Sequence, residues 1–156
     1  MHPTSPTATL ADENFAAGQL LQLLQQEQEC LVGGNVDALE KLVPEKAAVV
    51  ARMTELAQRR YRALAEAGHE AGEAGMKTWL AKPGAADDAQ RAWNALLATA
   101  ESAKELNRVN GMLINQHLAR NQGALNILHG TPQTGNLYGP NGQSTLGKGR
   151  RSLVVG

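Results

Sequence analysis

Residues 87–130 read DDAQRAWNALLATAESAKELNRVNGMLINQHLARNQGALNILHG. The pattern predicts one long helix from Asp87 to Gly130, which at ~1.5 Å per residue would reach roughly 65 Å. Asp87 is placed to cap it, with Gln90 three residues on as the return partner of a capping box. Gly130 followed by Thr131-Pro132 stops it. The two halves differ in chemistry. The first carries ordinary helix formers and charges around Trp93, Leu96, Leu97 and Ala100. From Leu106 onward there is no Asp or Glu. Leu106, Val109, Leu113, Ile114, Leu118, Leu125 and Leu128 are instead set among the uncharged amides Asn107, Asn110, Asn115, Gln116, Asn121, Gln122 and Asn126.

A solvent-facing helix usually carries Glu, Lys and Arg in i,i+4 pairs. Here only Arg108 and Arg120 are charged, and Gly111 and Gly123 each cost about 1 kcal/mol of helix stability relative to Ala. Such a stretch either packs into the protein's own bundle or forms the charge-depleted centre of a binding surface. Both readings can hold, for different sides of the helix.

The rest of the chain supports an all-α architecture. The 156 residues suit one domain and a tail. Aromatics are only 3%, so the core must be built from Leu, Ala, Val and Met, which suits helices packed side by side. A first helix is predicted from Thr9 or Ala11, with Asp12 and Glu13 favourable in its opening turn. Its core stripe is Leu10, Ala17, Leu21, Leu24, Gln28 and Leu31, and Gly33-Gly34 ends it. Asn35 caps a second helix whose stripe reads Val36, Leu39, Val43, Lys46, Val50, Met53, Ala57 and Leu64. Pro44 predicts a kink, or a break with a restart at Pro44, in that helix. The stretch with Gly68, Gly72 and Gly75 is weak. Met76 to Ala81, with Trp79, predicts a short helix covering one end of the bundle, and Pro83-Gly84 a turn. The expected fold is an elongated antiparallel bundle, or coiled-coil-like hairpin, of three main helices plus a short one over residues 9–130. Residues 1–8 and the Gly-rich, acid-free residues 131–156 are expected to be disordered and flexible.

Charge and cysteine usage bound the function. Net charge is zero, but all fifteen acids lie before residue 106, and five basic residues lie after it. That thin excess is not the clustered basic stripe of a nucleic-acid binder. Cys30 is the only cysteine, which excludes a disulfide within one chain, fits a reducing compartment and reads as a structural thiol. Met1 to Thr9 has neither the basic start nor the apolar run of a signal peptide, and no stretch approaches the ~18 apolar residues of a membrane span. A cytoplasmic protein without membrane insertion is expected.

Two motifs come close to known chemistry. Gly142-Gln-Ser-Thr-Leu-Gly147-Lys148-Gly149 resembles a phosphate loop. Its last position is Gly where a hydroxyl should hold magnesium, and no strand precedes it. Glu66-Ala-Gly-His69 has the Glu-x-x-His spacing of di-iron bundles, but no second copy exists and Gly68 lies inside it. No nucleophile elbow or carboxylate pair is present. No catalytic residue, cofactor or metal is therefore expected.

Leu106-Asn-Arg-Val-Asn-Gly-Met-Leu-Ile114 on the long helix, Leu137-Tyr-Gly-Pro-Asn-Gly142 in the tail, and Leu39-Glu40 with Lys46 resemble, in order and spacing, the FlgN family of flagellar type III export chaperones. The resemblance covers most of the chain. It implies a small helical cytoplasmic chaperone that holds the C-terminal segments of hook–filament junction (hook-associated) proteins, prevents their aggregation, and passes them to the cytoplasmic domain of the export-gate membrane protein. It also implies that the C-terminal part of the long helix binds cargo. The candidate cargo residues are Leu106, Val109, Asn110, Leu113, Ile114, Leu118, Leu125 and Leu128. Export-gate docking falls to Leu137, Tyr138, Gly139 and Pro140, with Tyr138 at the position of the family's docking tyrosine. The alternative is a homo-oligomeric coiled-coil scaffold in which residues 106–128 pair with a second copy, as a homodimer free of cargo.

Overall fold

A computed structural model describes residues 4–129. Four helices follow one another, and no strand occurs among the described residues: α1 Leu10–Gly33, α2 Val36–Glu66, α3 Glu73–Leu80 and α4 Asp87–Leu128. The all-α expectation holds. The fold divides into two units, Met1–Ile114 and Asn115–Gly156. The packing below lies within the first unit.

α1 and α2 fold back on each other as a hairpin. Gly34 takes the left-handed conformation at φ 69°, and the Asn35 N–H donates to the Cys30 carbonyl at 2.9 Å, closing the last turn of α1. The same Asn35 then caps α2, its Oδ1 accepting from the Ala38 N–H at 3.2 Å, a bond worth about 1 kcal/mol. α2 ends in the same manner: Gly68 is at φ 80°, and the His69 N–H reaches the Leu64 carbonyl at 2.8 Å. Both stops follow from glycine's tolerance of positive φ.

α1 buries Leu10, Ala17, Leu24 and Leu31, with Leu21 and Gln28 half-buried, as their spacing predicts. α2 departs from the break-and-restart alternative, since it runs unbroken through Pro44. Pro44 and Glu40 are both exposed, so the Glu40 carbonyl that loses its helical donor faces water rather than a dry interior. The buried stripe is also shifted. Val36, Val43 and Val50 are exposed, while Leu42, Leu56, Arg60, Ala63 and Leu64 are buried. The observed face runs Leu42, Lys46, Val49, Met53, Leu56, Arg60 and Ala63.

That face contains two cations, and each meets a glutamate on α1. Arg60 Nε donates to both Glu13 carboxylate oxygens, at 3.0 and 3.2 Å, and the Thr9 hydroxyl donates to Glu13 Oε2 at 2.9 Å. Lys46 Nζ lies 2.6 Å from Glu27 Oε2. Glu13 and Glu27 are fourteen residues apart, as are Lys46 and Arg60, and the pairs run in opposite chain directions. An antiparallel hairpin in a single register satisfies both at once. The Arg60 guanidinium also lies 4.8 Å from the Trp93 ring centroid and 4.9 Å from that of Tyr61, close enough for cation–π attraction.

All four helices meet in one core of Leu10, Ala17, Leu64, Met76, Leu80, Trp93 and Leu96. The short helix contributes Met76 and Leu80 to it, while Trp79 stays half-buried, 5.6 Å edge-on to His69. Gly75 lies so close to the preceding loop that an added Cβ would sit 1.7 Å from the Glu70 carbonyl oxygen. The start of α4 differs from the predicted capping box. The Ala86 carbonyl accepts from Ala89 and Gln90, so Asp87 lies inside the first turn, and Gln90 Nε2 donates to Asn94 Oδ1 at 3.1 Å. The turn at Gly84 (φ 93°) sets Ala86 as the cap, and Asp87 and Asp88 act on the helix dipole instead.

Two stability measurements follow from this packing. Glu13→Ala strands a buried guanidinium and is expected to cost about 3–5 kcal/mol in urea unfolding, most of it recovered by the double change Glu13→Leu with Arg60→Met. Gly75→Ala forces α3 off the Glu70 backbone and is expected to cost about 1–3 kcal/mol, read as a lower thermal midpoint.

Candidate functional site

The candidate face on α4 has a different character in each unit. In the first, Leu106, Val109 and Leu113 are half-buried, and Ile114 is exposed. Asn110, expected on the receiving face, is fully buried. Its Nδ2 donates to the Leu24 carbonyl at 2.8 Å and to Glu27 Oε1 at 2.9 Å. Asn110 thus belongs to the polar cluster of Glu27 and Lys46 that joins α1, α2 and α4, and it is unavailable to a partner. Nothing in the sequence separates this amide from its neighbours Asn107 and Asn115, because its role depends on a carboxylate 83 residues away.

Arg108, one of the two charges in the acid-free stretch, is held by the last acid before it. Its Nε and Nη2 donate to Glu105 at 3.0 and 2.6 Å, and its Nη1 lies 3.1 Å from Met112 Sδ. The hydrogen bond from Arg108 keeps the Glu105 carboxyl below the usual carboxylate range, and Glu105 raises Arg108 in return. A carboxyl depressed in the folded state contributes stability at neutral pH and loses it as pH falls through the folded value. The pair is fully exposed and screened, so its effect is local: it cancels the one positive charge beside Val109 and Met112.

In the second unit, the Asn115–Leu128 stretch exposes Leu118, Leu125, Ile127 and Leu128 by 56, 48, 76 and 79%. Its charged side chain is Arg120, and Gln122 and Asn126 form an i,i+4 amide pair at 3.4 Å. Ile127, and Met112 in the first unit, are exposed apolar residues that the seven-residue stripe left out, because they lie off its period.

The other sequence candidates are quickly placed. Leu137, Tyr138, Gly139 and Pro140 lie outside the described residues, as does the loop from Gly142 to Gly149. Glu66 ends α2 and His69 lies beyond its left-handed stop, so Glu66-x-x-His69 does not share one helical face. Among the described residues no three His, Cys, Asp or Glu side chains gather as metal ligands, and no helix is long and apolar enough to cross a membrane. The apolar exposure on α4 is therefore the strongest candidate site among the described residues.

Comparison with known proteins agrees with this architecture. The model of the FlgN protein family matches residues 1–145. The flagella synthesis protein FlgN of Proteus mirabilis is 28% identical over 149 residues, covering 94% of this chain and 88% of that protein. The protein of the same name from Salmonella typhimurium is 28% identical over 129 residues, 81% of each chain. A crystal structure described as a flagella synthesis protein FlgN from Pseudomonas aeruginosa superposes with a TM-score of 0.64 at 26% identity, covering 81% of this chain and 99% of the other. With a family match over nearly its whole length and a shared helical fold, this chain belongs to the FlgN family.

Proposed function

We propose that this chain acts in flagellum synthesis as a cytoplasmic type III export chaperone. In this reading it binds the C-terminal segments of hook–filament junction proteins, shields them from aggregation and delivers them to the cytoplasmic domain of the export gate. Family membership supports the setting. The observation that carries the mechanism is the exposure of Leu118, Leu125, Ile127 and Leu128 on a stretch without acids. An amphipathic cargo helix laid on these side chains removes them from water. Four such residues at ~2 kcal/mol each give about 8 kcal/mol gross. Ordering the cargo and restricting its motion offset a large part of that. The resulting contact is weak enough to release cargo, and it tightens where cargo also reaches Leu106, Val109, Leu113 and Ile114. No catalytic step enters this mechanism. Gate docking is assigned to Leu137, Tyr138, Gly139 and Pro140, because a tyrosine offers a large amphipathic anchor.

One observation favours a second reading. Leu118, Asn121, Leu125 and Leu128 follow the three-four spacing of a coiled-coil seam, with a single amide among the leucines. A second copy pairing there makes a homo-oligomeric coiled-coil scaffold that takes no cargo. Light scattering with and without the junction-protein segments separates the readings: a dimer unchanged by cargo supports a scaffold.

Leu118→Asp with Leu125→Asp is expected to abolish retention of these segments in a pull-down while leaving helical circular dichroism intact, since both leucines are exposed. Retention by the double variant would remove the assignment. Deleting residues 131–156 is expected to preserve cargo retention and to weaken binding to the gate's cytoplasmic domain. Loss of cargo on that deletion would move the site into the tail.

A further inference from the structure

A groove of about 370 Å³ opens in the first unit, lined by α1, α2 and α4 with Glu73 of α3. This size falls within the ~300–1,000 Å³ of ordinary binding clefts. Its apolar wall includes Leu20, Val50, Met53, Ala57, Leu97 and Ala100, and Arg60 lines it as well. Arg60 is only 6% exposed, and among the described residues its hydrogen bonds run from Nε to Glu13. Nη1 and Nη2 carry four more N–H donors, for which the described residues provide no acceptor. Among the described residues the one sealed side-chain polar atom without a partner is Asn110 Oδ1. The Nη groups of Arg60 are therefore not sealed, and Arg60 is among the residues that line the groove.

We propose that this groove is a second cargo subsite, receiving an uncharged apolar helix of the export cargo whose amide or main-chain carbonyl oxygens accept from Arg60 Nη1 and Nη2. The inference rests on the chaperone reading above. Charge selects the occupant. Glu13 already balances Arg60, and Glu73 also lines the groove, so a carboxylate would meet two like charges. A neutral carbonyl takes the free donors without that repulsion. The last turn of a helix presents four such carbonyls. Tyr61 and Val50, 39 and 46% exposed, supply apolar rim contacts for the rest of the segment.

The test uses the full chain with a photo-crosslinking residue at Ala100, exposed on the groove wall, or at Leu118, and a labelled C-terminal segment of a junction protein as probe. Cross-links from both positions are expected. A cross-link from Leu118 alone overturns the groove subsite and leaves the chaperone reading standing. None from either, together with no co-elution, overturns both. A cross-link from Ala100 to a second copy, or to residues 130–156 of the same chain, overturns the assigned occupant. Arg60→Lys keeps the charge and removes the fork, and is expected to weaken probe binding about tenfold, the value of one such hydrogen bond. Where Arg60→Lys lowers the thermal midpoint, Ala100→Trp gives the reading instead, since it fills the groove from an exposed position and is expected to lose at least as much. Unchanged affinity in the variant that folds overturns the proposal. Binding should also hold constant between about 50 and 500 mM salt, and a steep fall would mark an anionic occupant and overturn the assignment.

Discussion

Arg60 and Lys46 lie on the face of α2 that meets α1, and that face can be buried only because Glu13 and Glu27 stand opposite them. A carboxylate or guanidinium taken out of water without a partner costs several kcal/mol, so these pairs are weak evidence of added stability and strong evidence of register. Sliding α1 against α2 by one turn would strand all four charges. The hairpin turn at Gly34 and Asn35 is compatible with that register, and Asn110 reads the same Glu27 from α4. The arrangement of the first unit thus follows from two glutamates on one helix.

This polar scaffold accounts for the division of labour along α4. Where α4 lies against α1, its amide is consumed inside and its leucines are half covered. In the Asn115–Leu128 stretch the leucines are exposed, and solubility rests on neutral amides rather than on charges. Amides keep such a surface hydrated yet present no fixed charge that an incoming apolar helix would have to desolvate. In the first unit, Glu105 offsets the charge of Arg108 beside Val109 and Met112.

The same logic links the groove to the core. Arg60 is held by Glu13 through one nitrogen and flanked by Trp93 and Tyr61, so the side chain that fixes helix register also presents unused donors at the protein surface. Structural and recognition roles meet in a single residue, and a change there acts on both.

The number and order of helices, the stops at Gly34 and Gly68, the cap at Asn35, the core stripe of α1 and the acid-free stretch after Glu105 were all legible in the sequence, because each depends on residues within a turn or two of one another. The face of α2, its continuity through Pro44, the capping of α4 by Ala86 and the burial of Asn110 were not. Hydrophobic periodicity weighs each side chain alone, so the valines looked like a core and Arg60 fell outside the stripe, although Lys46 lay within it. The tertiary structure reverses that order, since an arginine becomes buriable once a glutamate 47 residues earlier in the chain is folded against it.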